Sequence, residues 1–188
     1  MNNSKFWLIT GLILIAVISR IIPHPFNVTP LIAVSLFAGA KFEDKKWSFI
    51  VPLLSFFASD IILSFMYHYD VFHNTIFFTY SSILLIVLLG RILNNKKINI
   101  GKTIGLTLAS SLLFFIISNF GVWLFGGMYS MNAAGLINCY IMAIPFNKFS
   151  WLGDLFFVAL LFGIYEFVSN KYFTNAKDLT AQKSKISD

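Results

Sequence analysis

Residues 47–66 read WSFIVPLLSFFASDIILSFM, twenty residues in which Asp60 is the one charged side chain. The stretch before them, KFEDKK (41–46), holds three lysines, and the stretch after them, YHYDVFHN (67–74), holds no Lys or Arg. About 20 apolar residues in a helix match the hydrocarbon core of a bilayer. Lys and Arg collect on the cytoplasmic side of such helices. The segment therefore reads as a membrane span that leaves the cytoplasm at residues 41–46.

The same alternation holds in both directions along the chain. Lys5 precedes apolar residues 6–22, and Lys41, Lys45 and Lys46 follow a short apolar stretch at 30–40. Residues 75–90 are followed by Arg91, Lys96, Lys97 and Lys102. Residues 103–125 lead into a link that holds only Lys148, and residues 151–168 are followed by Lys171, Lys177, Lys183 and Lys185. Of fourteen Lys and Arg residues, only Arg20 and Lys148 fall on the far side. The pattern predicts an all-α membrane protein with six transmembrane helices and both termini in the cytoplasm.

Composition agrees. The 188 residues are 57% hydrophobic and 12% charged, about half the charged share of a soluble domain. Residues 1–170 are expected to form a single membrane domain, and residues 171–188 a polar cytoplasmic tail. The net charge of +6 is not read as a nucleic-acid footprint, because the cations flank apolar spans. They suit an anionic inner leaflet, so the lipid bilayer is the expected partner. The first segment lacks a small-x-small cleavage site and runs into Arg20 and Pro23, so it reads as a retained helix. A single cysteine, Cys139, allows no internal disulfide and no cysteine-rich metal site. No cofactor is expected.

The first, third, fifth and sixth segments are long enough to span, and the fourth is if Ile92 and Leu93 join it. The second covers only about half the core, because Pro30 interrupts its start. A short or broken helix survives in a membrane where protein or an aqueous cavity receives its backbone groups, and such helices point to transporter sites. Asn27 or Thr29 is expected to cap it. The link at 126–150 reads as an outer loop carrying a short interfacial or re-entrant helix.

Polar side chains inside a span are costly, so their depth is informative. At 1.5 Å per residue from the inner ends, Arg20, Asp60 and Asn119 lie about 20–22 Å up. Asp154, in the first turn of a last span that enters from outside, also lies high. There a carboxylate can simply complement the helix dipole. Arg20 can snorkel to the interface, pair with Asp60 or Asp154, or touch a ligand. Asn119 and Trp123, four apart, share one helix face. All three histidines fall on the outer side. The candidate pocket residues are Arg20, Asn27, Asp60, Asn119, Trp123, Asn138 and Asp154. One cation, two acids, amides and an aromatic suit a small polar organic ligand.

Residues 20–30, Leu36-Phe37-Ala38-Gly39-Ala40, Ser59-Asp60, Asn119-Phe120-Gly121-Val122-Trp123, Cys139-Tyr140, Ala143-Ile144-Pro145-Phe146 and Gly153-Asp154 carry a resemblance. Together they resemble an uncharacterised family of small bacterial inner-membrane proteins, a domain of unknown function to which a transport role is ascribed. At fold level the chain is similar to the substrate-binding S components of energy-coupling factor transporters. The resemblance implies location in the bacterial inner membrane and a vitamin-like small-molecule ligand held near the outer face. It also implies an energy-coupling transmembrane partner and ATPases. The Ala-x-x-x-Ala docking pattern of those S components is reduced in the first helix to Gly11 and Ala16. The sequence contains no G-x-x-x-x-G-K-[ST] loop of its own. The competing expectations are a non-transporting scaffold of the cell-shape type and a membrane enzyme. The latter is disfavoured because His24, His68 and Asp60 lack a metal-ligand spacing such as H-E-x-x-H.

Overall fold

The computed structural model describes residues 3–22, 28–68, 70–93 and 98–174, and among these it is all-helical. The order is α1 (Asn3–Ile18) with a 3-10 extension (Ser19–Ile21), α2 (Leu31–Lys41), α3 (Lys45–Tyr67), α4 (Ile76–Arg91), α5 (Ile100–Phe125) and α6 (Ala133–Ser169). A π-helical turn (Asn170–Thr174) closes α6. Four stretches are long and apolar enough to cross a membrane: Asn3–Ile21, Lys45–Tyr67, Ile100–Phe125 and Phe149–Tyr172. These are the first, third, fifth and sixth segments singled out by length.

The short helix α2 is the axis of the bundle. All eleven of its residues are buried, and α1, α3, α4, α5 and α6 all pack against it. At about 16 Å it spans half the hydrocarbon core, and the surrounding helices receive its ends. Its closest neighbour is α4. A Cβ on Gly39 would sit 2.1 Å from the Val87 carbonyl oxygen, and one on Gly90 would sit 2.3 Å from that of Leu36. The two backbones touch, which only glycine at both positions allows. The expected cap on α2 is not made by Thr29: Pro30 occupies the N-cap with no side-chain bond, and its carbonyl accepts from Val34 N–H at 2.8 Å. Asn27 lies outside the described residues.

α5 is polar inside and apolar outside. Its buried residues are Thr103, Thr107, Ser110, Ser111 and Gly121, while Ile104, Leu112, Ile116 and Phe120 are exposed. Thr107 donates to the Thr103 carbonyl, four residues back, at 2.8 Å, and Ser111 Oγ lies 3.0 Å from the Thr107 carbonyl. The Thr107 hydroxyl is satisfied within the helix. Small residues inward and large apolar residues outward suit lipid rather than water.

Two expectations are corrected. α4 ends at Arg91, with Ile92 and Leu93 in a turn. Its 16 residues reach about 24 Å, short of a full crossing. The link at 126–150 is not an outer loop with a separate helix. Only residues 126–132 form the turn, and Asn132 caps α6 by accepting from Gly135 N–H at 2.9 Å. From there the helix runs 37 residues, through the polar punctuation that suggested a break. Pro145 withholds one donor from the ladder, and the helix continues on both sides of it.

Candidate functional site

One cavity of about 520 Å³ opens among the helices, and side chains from the α1 extension and from α2 to α6 line it. That volume suits a metabolite-sized molecule. Its geometry follows from how α6 meets α5. The Tyr140 hydroxyl donates to the Ile116 carbonyl at 2.7 Å, and Ser111 Oγ donates to Asp154 Oδ2 at 2.7 Å. Between these contacts α5 advances about 7 Å and α6 about 21 Å. The helices therefore do not run alongside one another here, and Pro145 lies within the diverging stretch. The extra α6 surface becomes cavity wall: Met142, Ala143, Phe146, Asn147, Ser150 and Asp154 line it, spaced as one helical face. α5 faces them with Ser111, Phe114, Phe115, Ser118, Asn119 and Val122, again one face.

The first wall carries a closed charge cluster. Arg20, on the 3-10 extension of α1, donates to Asp60 Oδ1 at 2.8 Å and to Ser59 Oγ. Tyr80 of α4 donates its hydroxyl to Asp60 Oδ2 at 2.7 Å. The Phe56 ring lies under the guanidinium, 5.2 Å from Cζ to centroid. Both carboxylate oxygens are engaged, and the pair keeps only 15% and 16% side-chain exposure. Of the three roles open to Arg20 in the sequence, pairing with Asp60 is the one found.

The opposite wall is different. Asp154 is 3% exposed, and Ser111 is its one hydrogen-bond donor among the described residues. No cation among them lies within ion-pair distance of it. Its position corrects the helix-dipole expectation. α6 begins at Ala133, so Asp154 sits in mid-helix and no N-terminal amides face it. It meets the twelfth residue of α5, well below Asn119, which lies eight residues or about 12 Å further along that helix.

Arg20, Asp60, Asn119 and Asp154 thus share one chamber. The Asn119 side-chain amide donates back to the Phe115 carbonyl at 2.8 Å. Trp123 and Asn138 do not line the cavity. The Trp123 indole donates to the Ser130 carbonyl at 3.0 Å and its ring packs on Phe120, so it pins the 126–132 turn. Asn138 is exposed on α6. Sequence reasoning missed Tyr80 and Ser111, the partners of the two acids. Tyr80 begins its helix on the side where Asp60 ends its own, which was a usable signal. Ser111 is one of five hydroxyl residues on α5, and nothing in the sequence distinguishes it from the others.

The chain belongs to the family of unknown function DUF6580. The match covers residues 1–179, so every wall of the cavity falls within the family's extent. No curated protein and no solved structure matches the chain.

Proposed function

We propose that this DUF6580 member is a membrane transport protein that captures a small polar organic micronutrient from outside the cell. The observation that carries the reading is the convergence of Arg20, Asp60, Asn119 and Asp154 on one metabolite-sized cavity. Polar groups buried among apolar helices are expensive, and a shared ligand chamber gives that expense a purpose. The charge alternation supports a six-segment arrangement in the bacterial inner membrane, with both termini cytoplasmic and the cavity towards the outer face. In this arrangement α2, embedded in protein, and α4, packed against it on one face and exposed on the other, complete the crossing as short helices.

Transport then requires two states of the bundle with different affinity for the ligand. The sequence holds no nucleotide-binding loop, so any ATP-driven step would fall to a partner. In the S-component-like form of this reading, this chain binds and a transmembrane partner with ATPases supplies energy. The test is a thermal-shift and equilibrium-binding screen of the purified full-length protein against water-soluble vitamins and related metabolites. Asp60→Ala and Asn119→Ala are each expected to weaken the best ligand about tenfold or more, as loss of a buried polar contact does. Unchanged affinity in both variants would remove these residues from the binding site.

A further inference from the structure

We infer that the ligand of this cavity is an organic cation whose positive group sits beside Asp154, an assignment that rests on the ligand-capturing reading above. The argument begins with charge. The described cavity walls hold one guanidinium, Arg20, and one imidazole, His73, against two carboxylates, Asp60 and Asp154. The charge of Arg20 is committed: Asp60 pairs with it, Ser59 takes a second of its five N–H donors, and Phe56 covers one face. Asp60 is equally committed, to Arg20 and Tyr80. Asp154 remains, 3% exposed and held by a single hydroxyl, with no cation in reach among the described residues. A buried, unpaired carboxylate costs several kcal/mol as the anion, unless it takes up a proton or something positive meets it. An anionic ligand would add to that cost, since the charge of the one described guanidinium in the walls is already balanced by Asp60. A cationic ligand removes it.

The surroundings of Asp154 fit such a ligand. Phe114, Phe115 and Phe146 stand on the same α5 and α6 faces and also line the chamber. Aromatic faces attract ammonium and azolium groups and shed little water in doing so. One buried acid in a chamber that also presents several rings is a chemistry that recognises a soft, weakly hydrated organic cation rather than a metal ion. A metal ion would call for more oxygen ligands than the carboxylate and hydroxyl found here. The closed Arg20–Asp60–Tyr80 cluster is then the second anchor, able to hydrogen-bond the neutral polar end of the same molecule.

The experiment uses the full chain in lipid nanodiscs and isosteric probes that differ only in charge. Choline is compared with 3,3-dimethylbutan-1-ol, and benzyltrimethylammonium with neopentylbenzene, alongside the metabolite screen sorted by charge. The expected result is that the cation of each pair raises the melting temperature while its neutral counterpart does not. The best ligands of the screen are expected to carry a positive group. Asp154→Asn should weaken the best cation about 100-fold, the loss that follows truncating one member of a buried charge pair. Asp154→Glu should keep the preference for positive charge. Preferred binding of neutral or anionic compounds, or Asp154→Asn binding the cation as wild type does, overturns the inference and leaves the transport reading standing. Such a result would mean that Asp154 is held protonated. If Asp154→Asn does not fold, the isosteric pairs on the wild type decide alone. Failure of every compound, whatever its charge, overturns the transport reading as well.

Discussion

The two ends of this bundle both bury charge, and they do it differently. At one end Lys41, the last residue of α2, donates to Glu166 of α6 at 2.7 Å. Its ammonium also lies over the rings of Tyr165 and Phe162, at 4.6 and 5.6 Å. Phe37 packs edge-on against the same two rings. At the other end Arg20 and Asp60 close on each other, but Asp154 faces a chamber with a hydroxyl for company. The Lys41 end has aromatic packing where the other end has space. A bundle that can fill one end so thoroughly leaves the other open for a reason, and the unmatched carboxylate lies at the open end.

The sharpest way to break this contrast is to separate the helices that hold both ends in register. α2 and α4 touch through Gly39 and Gly90, with no room for a side chain at either. Gly39→Leu should force the backbones apart and cost roughly 4 kcal/mol or more, in the range of severe overpacking. The expected outcome is loss of monodisperse protein on size exclusion. A folded, ligand-competent Gly39→Leu variant would mean that the α2–α4 contact is not what supports the cavity.

The Lys41 end yields an asymmetric prediction of intermediate size. Lys41 is 3% exposed by side chain and Glu166 is 32% exposed. Glu166→Ala would strand a buried ammonium, and about 2 kcal/mol of stability should be lost, at the low end for broken buried pairs because water reaches Glu166. Lys41→Met leaves only a carboxylate that solvent can reach, so its cost should stay within about 1 kcal/mol. Comparing the two melting temperatures tests the idea. Equal losses would mean that the pair acts as a surface ion pair and the end is wetter than its packing suggests.

Much of this architecture was legible in the chain itself. Span length identified the four helices long and apolar enough to cross a membrane, because hydrophobic thickness is a one-dimensional constraint that a sequence displays directly. The shortness of α2 was equally plain. Its central position was not, since all-round burial is a property of six helices together. The pairing of Arg20 with Asp60 was one of three open readings, and depth counting brought both to the same level. α6 was misread because Asn138 and Pro145 look like interruptions. Asn138 faces outward on the helix, and Pro145 removes a single hydrogen bond. That error carried over to Asp154, which was assigned to a helix start that does not exist. Depth was thus informative where a span's end was known and misleading where it was not.

The smallest expected effect concerns residues that the sequence grouped with the site and the fold keeps apart from it. Trp123 shares a helix face with Asn119, but its indole reaches away to the Ser130 carbonyl. Trp123→Phe removes that hydrogen bond and should cost about 1 kcal/mol, read as a modest fall in melting temperature. Asn138→Ala, on an exposed face, should change stability by less than about 0.5 kcal/mol. Neither should alter affinity for the best ligand of the screen, whereas Asn119→Ala, one helical turn from Trp123, should. The pair of neighbours on one helix therefore serves as an internal control for the chamber's boundary. If Trp123→Phe weakens binding as much as Asn119→Ala does, the chamber extends past the 126–132 turn. The open end would then be wider than the walls traced by Arg20, Asp60, Asn119 and Asp154.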